Sequence, residues 1–116
     1  MGGNYSNQNS GSFLMPWDVT SSGTEGNVDV PVSSGTASKM ILRLPAALGA
    51  TETATLTLRK NGADTLLTCT IPGSGTSCSD TTDTVTFADG DLLSIRYNET
   101  NAPNARVKYS ILYQAP

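Results

Sequence analysis

Apolar residues in this chain occupy alternate positions in one short run after another, and Gly, Pro, Asn or Asp closes each run. A period of two belongs to a strand with one dry face, because successive side chains point to opposite sides of a pleated backbone. Val28, Val30 and Val32 alternate with Asp29 and Pro31, and Pro31 places that run at an edge or a strand end. Met40, Leu42 and Leu44 share one parity, as do Ala54, Leu56 and Leu58. Asn61-Gly62 follows at once, a pair suited to the positive φ that a two-residue hairpin needs at both positions. It predicts paired strands over residues 53–60 and 63–72. Leu67, Cys69 and Ile71 lie on the return strand; Val85 with Phe87, and Leu93 with Ile95 and Tyr97, mark two more. After a break at Asn101-Ala102-Pro103-Asn104, the last strand runs from residue 106 to about 114. Helix is poorly supported, and only residues 45–49 suit a single turn with Gly49 as its stop. About eight short strands, with turn signals roughly every 8–12 residues, describe an all-β, antiparallel sandwich. Eight strands favour a jelly-roll-like arrangement over a seven-strand immunoglobulin-like one.

Composition narrows the chemistry. The chain has 116 residues and a net charge of −3, the size of one domain. Charged residues make up only 15%, so Ser, Thr, Asn and Gln supply most of the wetted surface. There is no histidine, which excludes His-activated nucleophiles, His proton shuttles and His-containing zinc sites. Two cysteines alone cannot hold a four-thiolate zinc or an iron–sulfur cluster. No cofactor or metal is therefore expected, and no catalytic residues are assigned: the chain does not read as an enzyme. Seven basic against ten acidic residues argues against nucleic-acid binding, and no apolar run approaches a membrane span. The start, MGGNYSNQNSG, lacks the basic and apolar regions of a secretory leader.

After Met1, residues 2–11 are Gly, Asn, Ser and Gln with one tyrosine, and residues 1–11 are too polar to order themselves. They read as a flexible N-terminal arm, leaving residues 12–116 as a single β-sandwich domain. Phe13-Leu14-Met15-Pro16-Trp17 is the densest apolar cluster, and Pro16 keeps it out of a helix interior. In the last strand Val107, Tyr109, Ile111 and Tyr113 face inward, and Leu112 breaks the pattern by taking the outer parity. Ile41 does the same between Met40 and Leu42. Phe13, Leu14, Met15, Trp17, Ile41 and Leu112 are thus the candidate interface, a patch able to drive association into a homotrimer or docking on a larger assembly.

Cys69 and Cys78 flank the Pro72-Gly73-Ser74-Gly75 turn, so a hairpin there sets them opposite each other. They form either a cross-strand disulfide or two small, partly buried thiols in a reducing cytosol. Asp80, Asp83, Asp89 and Asp91 lack the spacing of a calcium loop and read as turn-supporting carboxylates. Arg43, Arg59, Lys60, Arg96, Arg106 and Lys108 lie on or near strands, as solvated faces and edge protection.

Three stretches carry a resemblance: GNVDVPVSSGTASKMILRLP, TATLTLRKNGADTLLTCTI and TSCSDTTDTVTFADGDLLSIRY. Together, over roughly residues 26–100, they resemble a β-module of phage virion and fibre-like proteins. The most specific string is Leu58-Arg59-Lys60-Asn61-Gly62-Ala63-Asp64-Thr65. The resemblance implies a jelly-roll-like sandwich that associates in trimers, somewhat like tumour-necrosis-factor or complement-globular heads, and it brings no catalytic residues. In fibres the module follows long upstream segments, whereas residues 1–25 precede it here, which favours a free-standing virion protein. The expected role is a capsid decoration (cement) protein. It would be made in the host cytoplasm, sit on the virion surface and have the major capsid protein as partner. The alternative is a tail-fibre or surface module that binds a receptor or glycan.

Overall fold

The computed structural model describes residues 1–8, 11–101 and 105–116. The chain forms β1 (Gly2–Gln8), β2 (Ser12–Leu14), β3 (Ser21–Ser22), β4 (Val30–Pro31), β5 (Gly35–Arg43), β6 (Thr53–Lys60), β7 (Ala63–Ile71), β8 (Ser77–Phe87), β9 (Leu92–Thr100) and β10 (Ala105–Gln114). One sheet has the order β1-β10-β5-β8; the other runs β3-β2-β9-β6-β7, with β4 also on β9. Every pairing is antiparallel. The inner faces close on one core that includes Tyr5, Leu14, Met40, Leu42, Leu56, Leu58, Phe87, Ile95 and Tyr97. The chain passes from one sheet to the other at six of the nine connections between these strands, a jelly-roll-like connectivity. The strands number ten rather than eight because Gly2–Gln8 form a strand and residues 12–31 form three short pieces. β2 and β4 occupy successive stretches along one edge of β9.

That fragmentation corrects the continuous valine strand. A 3-10 turn at residues 25–27 precedes it, and of residues 28–32 only Val30 and Pro31 form a strand, β4. Val28 and Val32 are nevertheless buried, so the dry face survives without the ladder. The helical turn at 45–49 is absent. The Leu44 and Leu48 N–H groups donate to the carbonyls of Thr76 and Gly75 on the facing loop, so this backbone bonds across rather than along itself.

The N-terminal segment is the larger correction. Gly2–Gln8 are not a flexible arm but the outer strand of the first sheet, paired with β10. Its anchor is Tyr5, 1% exposed, with its ring stacked on Tyr109 at 5.9 Å. The Tyr5 hydroxyl sits 2.7 Å from the Met15 carbonyl and also against that of Asp18. Composition underrates such a segment, because ladder bonds and one large ring offset the ordering entropy of its polar neighbours. Asn9 and Ser10, the rest of the expected arm, and positions 102–104 of the expected break lie outside the described residues.

Two local devices set the register. Asn61 and Gly62 have φ of 51° and 78°, so the β6–β7 hairpin turns on two left-handed residues. The space around Gly62 is open, with only a Glu25 oxygen 3.8 Å from an added Cβ, so conformation alone resists substitution. Gly62→Val is expected to cost about 1–2 kcal/mol in chemical denaturation, because a β-branched side chain resists positive φ. A loss too small to measure would rule out this turn. In β5, Lys39 has φ 56°, and the register shifts there against both β10 and β8. This bulge changes the parity of the strand: Ala37 points inward before it, Met40 and Leu42 after it. Ile41 is thereby turned outward.

Candidate functional site

The outer face of the first sheet can be laid out from its register. One row across β1, β10, β5 and β8 reads Asn4, Lys108, Arg43, Ser77. The next reads Gly2, Ser110, Ile41, Ser79. Beyond it Leu112 stands opposite Ser38, diagonal to Ile41 across the bulge. Ile41 and Leu112 are 48% and 37% exposed, so both aliphatic side chains reach water on a face whose neighbouring positions are small, polar or cationic. Arg106 shares the face and donates to the Asn4 side-chain oxygen at 2.9 Å. None of Arg43, Arg106 and Lys108 is ion-paired among the described residues.

The six candidate interface residues do not form one patch. Ile41 and Leu112 share the outer face of the first sheet. Leu14 is fully buried in the core and offers no surface at all. Phe13 lies on the outer face of the second sheet between two guanidinium groups, with Arg59 at 5.6 Å and Arg96 at 5.8 Å from its ring centre. Met15 is half-buried where its carbonyl meets Tyr5. Trp17 is 53% exposed, has φ 57°, and sets its ring edge-on to Tyr113 at 5.8 Å. The reason for the split is that Phe13 and Leu14 point to opposite faces of β2, while residues 15–17 leave the strand and turn away.

Sequence reading missed the ion cluster on the second sheet. Arg59 grips Glu25 with Nε at 2.9 Å and Nη2 at 3.0 Å, and reaches Asp64 with Nη1 at 2.6 Å. Ser94 donates its hydroxyl to the same Glu25 carboxylate. Arg59 and Asp64 face each other across the hairpin, which was legible, but Glu25 arrives from a loop 34 residues away. The Arg59 guanidinium holds the Glu25 carboxyl below its usual range, despite the burial that opposes it. A carboxylate with a lowered folded pKa stabilises the protein above its ordinary range and loses that contribution as pH falls through the folded value. The stability difference between the wild type and Glu25→Gln, about 1 kcal/mol at neutral pH, is therefore expected to shrink once pH falls below the ordinary glutamate range and to vanish only below the folded value. Urea titrations of both proteins from neutral pH into acid check it, and a difference that does not change as the pH falls would refute the pairing.

Cys69 and Cys78 form a disulfide, with Cα atoms 5.8 Å apart. It is not a bridge within a hairpin: β7 and β8 are edge strands of different sheets, so the bond ties the two sheets together along one open side. Beside it, Asp80 is buried and accepts N–H bonds from Thr68, Thr82 and Asp83. Burial works against ionisation of Asp80, but these donors outweigh it and lower its pKa. Asp91 caps the β8–β9 turn through the Ala88 N–H, and Asp89 in that turn accepts the Ser34 N–H from the β4–β5 connection. These aspartates brace turns, and no group of three His, Cys, Asp or Glu among the described residues is arranged to hold a metal ion. A cleft of about 240 Å³ lies between the 44–48 loop, Glu52 and Arg106. It is smaller than a typical small-molecule site. No protein-family model matches the chain and no curated protein matches it, so the site is read from its own chemistry.

Proposed function

We propose that this protein is a capsid decoration (cement) protein, a structural virion component that docks as a homotrimer on the major capsid protein of a phage shell. The observation that supports this most is the outer face of the first sheet, where Ile41 and Leu112 are neighbours and both reach water. Single exposed aliphatics are ordinary on a monomer; a pair on an uncovered sheet face is a contact surface. A protein held there stabilises the shell by mass action, because the bound state has contacts the bare shell lacks. The face turns toward the shell and not toward the threefold axis, since three copies of Arg43 and Lys108 brought together would repel.

Light scattering separates these roles. The wild type is expected to run as a trimer at micromolar concentration, and Ile41→Lys/Leu112→Lys to remain a trimer while losing shell occupancy. A wild-type monomer would end the trimer proposal, and a dissociated double variant would move the face to the subunit contact. Quantitative mass spectrometry of purified particles tests the role itself: copy numbers comparable to the major capsid protein support cementing, a few copies per particle refute it. One observation favours the second reading, a glycan- or receptor-binding module. Trp17 offers a half-exposed ring from a backbone conformation that bulky residues rarely adopt, and such strain clusters at functional sites. Glycan-array binding abolished by Trp17→Ala would establish that reading.

A further inference from the structure

The cations of the first sheet's outer face run against the sign of the whole chain. The protein carries a net −3, yet Arg43, Arg106 and Lys108 gather on this one face. Lys108 stands directly opposite Arg43 in the ladder, a like-charge pairing that opposes sheet formation. Neither side chain is ion-paired among the described residues. The flanking positions of that row are Asn4 and Ser77, and those of the next row are Gly2, Ser110 and Ser79. A carboxylate at any of these five places would have neutralised the pair, and the ten acidic residues all stand elsewhere. The second sheet shows the contrast: there Arg59 is satisfied by Glu25 and Asp64, and Lys60 reaches Asp91 at 3.7 Å.

We propose that this face binds an acidic protein surface, whose carboxylates complete the Arg43–Lys108–Arg106 cluster while its apolar side chains cover Ile41 and Leu112. The inference rests on reading this face as the docking surface, and it adds the chemistry of the partner. Charge of opposite sign across an interface sets register and speeds encounter, and the adjoining aliphatic pair supplies the dry centre of the contact. A nucleic acid is the poorer occupant, because three cations engage few phosphates and aliphatic side chains gain nothing from a sugar–phosphate backbone. A symmetric contact with a second copy is poorer still, since it sets the cluster against itself.

The test uses the full chain and a random glutamate–alanine copolymer as the acidic probe, titrated at low ionic strength. Arg43→Ser/Lys108→Ser is expected to weaken binding about tenfold or more and to flatten its salt dependence. Leu66→Glu/Thr70→Glu makes the same change in net charge on the other sheet and is expected to bind within about threefold of wild type. Loss of binding in both variants alike would overturn the proposal, because net charge and not this face would then govern it. No binding by the wild type would overturn it, as would displacement of the copolymer by double-stranded DNA. So would salt-sensitive self-association abolished by Arg43→Ser/Lys108→Ser, which would assign the face to a second copy. Shell occupancy keeps the two readings apart. Arg43→Ser/Lys108→Ser that fills shells like the wild type leaves the docking role standing and removes the acidic partner. A wild type absent from shells that still binds the copolymer does the reverse.

Discussion

Truncation of Tyr5 to alanine is expected to lower stability by about 3–5 kcal/mol, the cost of emptying a fully buried aromatic site. The ring is 1% exposed, stacks on Tyr109, and its hydroxyl meets the carbonyls of Met15 and Asp18. One side chain therefore joins β1, the β10 face of the core and the turn after β2. Tyr5→Phe keeps the ring and loses only the hydroxyl's contacts, so it is expected to cost about 1 kcal/mol. Amide exchange supplies the second readout. The β1 amides bonded to β10 should be protected in the wild type and exchange freely in Tyr5→Ala. A destabilisation below about 1 kcal/mol in Tyr5→Ala, in thermal or urea unfolding, would mean that β1 is not part of the folded sandwich.

Removal of the disulfide is the second large effect. Cys69→Ala/Cys78→Ala is expected to cost about 2–3 kcal/mol, the chain-entropy value for so short a closed loop. The sequence separation is 9 residues. The bond's position adds a structural consequence, because β7 and β8 are the free edges of opposite sheets on the same side of the sandwich. Without the bond, that side is held mainly by packing and by the Thr68 N–H donated to Asp80. Reduction of the wild type by a thiol should reproduce the alanine variant's melting temperature. Equal melting temperatures for oxidised wild type and the double variant would show that the bond does not stabilise the fold.

Local sequence carried much of the fold. Alternation placed Met40, Leu42, Leu56, Leu58, Ile95 and Tyr97 in the core, where they are buried. Asn61-Gly62 turned the chain where expected and set Arg59 opposite Asp64. These features rest on interactions within a few residues, which a one-dimensional pattern records. Four features did not. The Gly2–Gln8 strand lies in a segment whose composition suggests disorder, and it is ordered by β10, which comes roughly a hundred residues later. Residues 45–49 exchanged a helical turn for hydrogen bonds to the facing loop. The disulfide was open on sequence grounds, and its joining of separate sheets depends on a crossover that no spacing reveals. Leu14, an interface candidate by its neighbours, went to the core while Phe13 beside it went to the opposite face.

The candidate surface divides in the same way. That Ile41 and Leu112 point away from the core was determined by parity, a property of each strand alone. That they are neighbours was decided by the pairing of β5 with β10 and by the Lys39 bulge, which sets Leu112 diagonal to Ile41. The opposition of Lys108 to Arg43 has the same origin. The sequence by itself determined an all-β chain, the Asn61-Gly62 hairpin and the alternation that turns Ile41 and Leu112 outward, because those follow from sterics and hydrophobic period over a few residues. Which strands lie side by side was decided only by the tertiary structure, because strand pairing joins residues far apart in the chain and is selected by how the whole core packs.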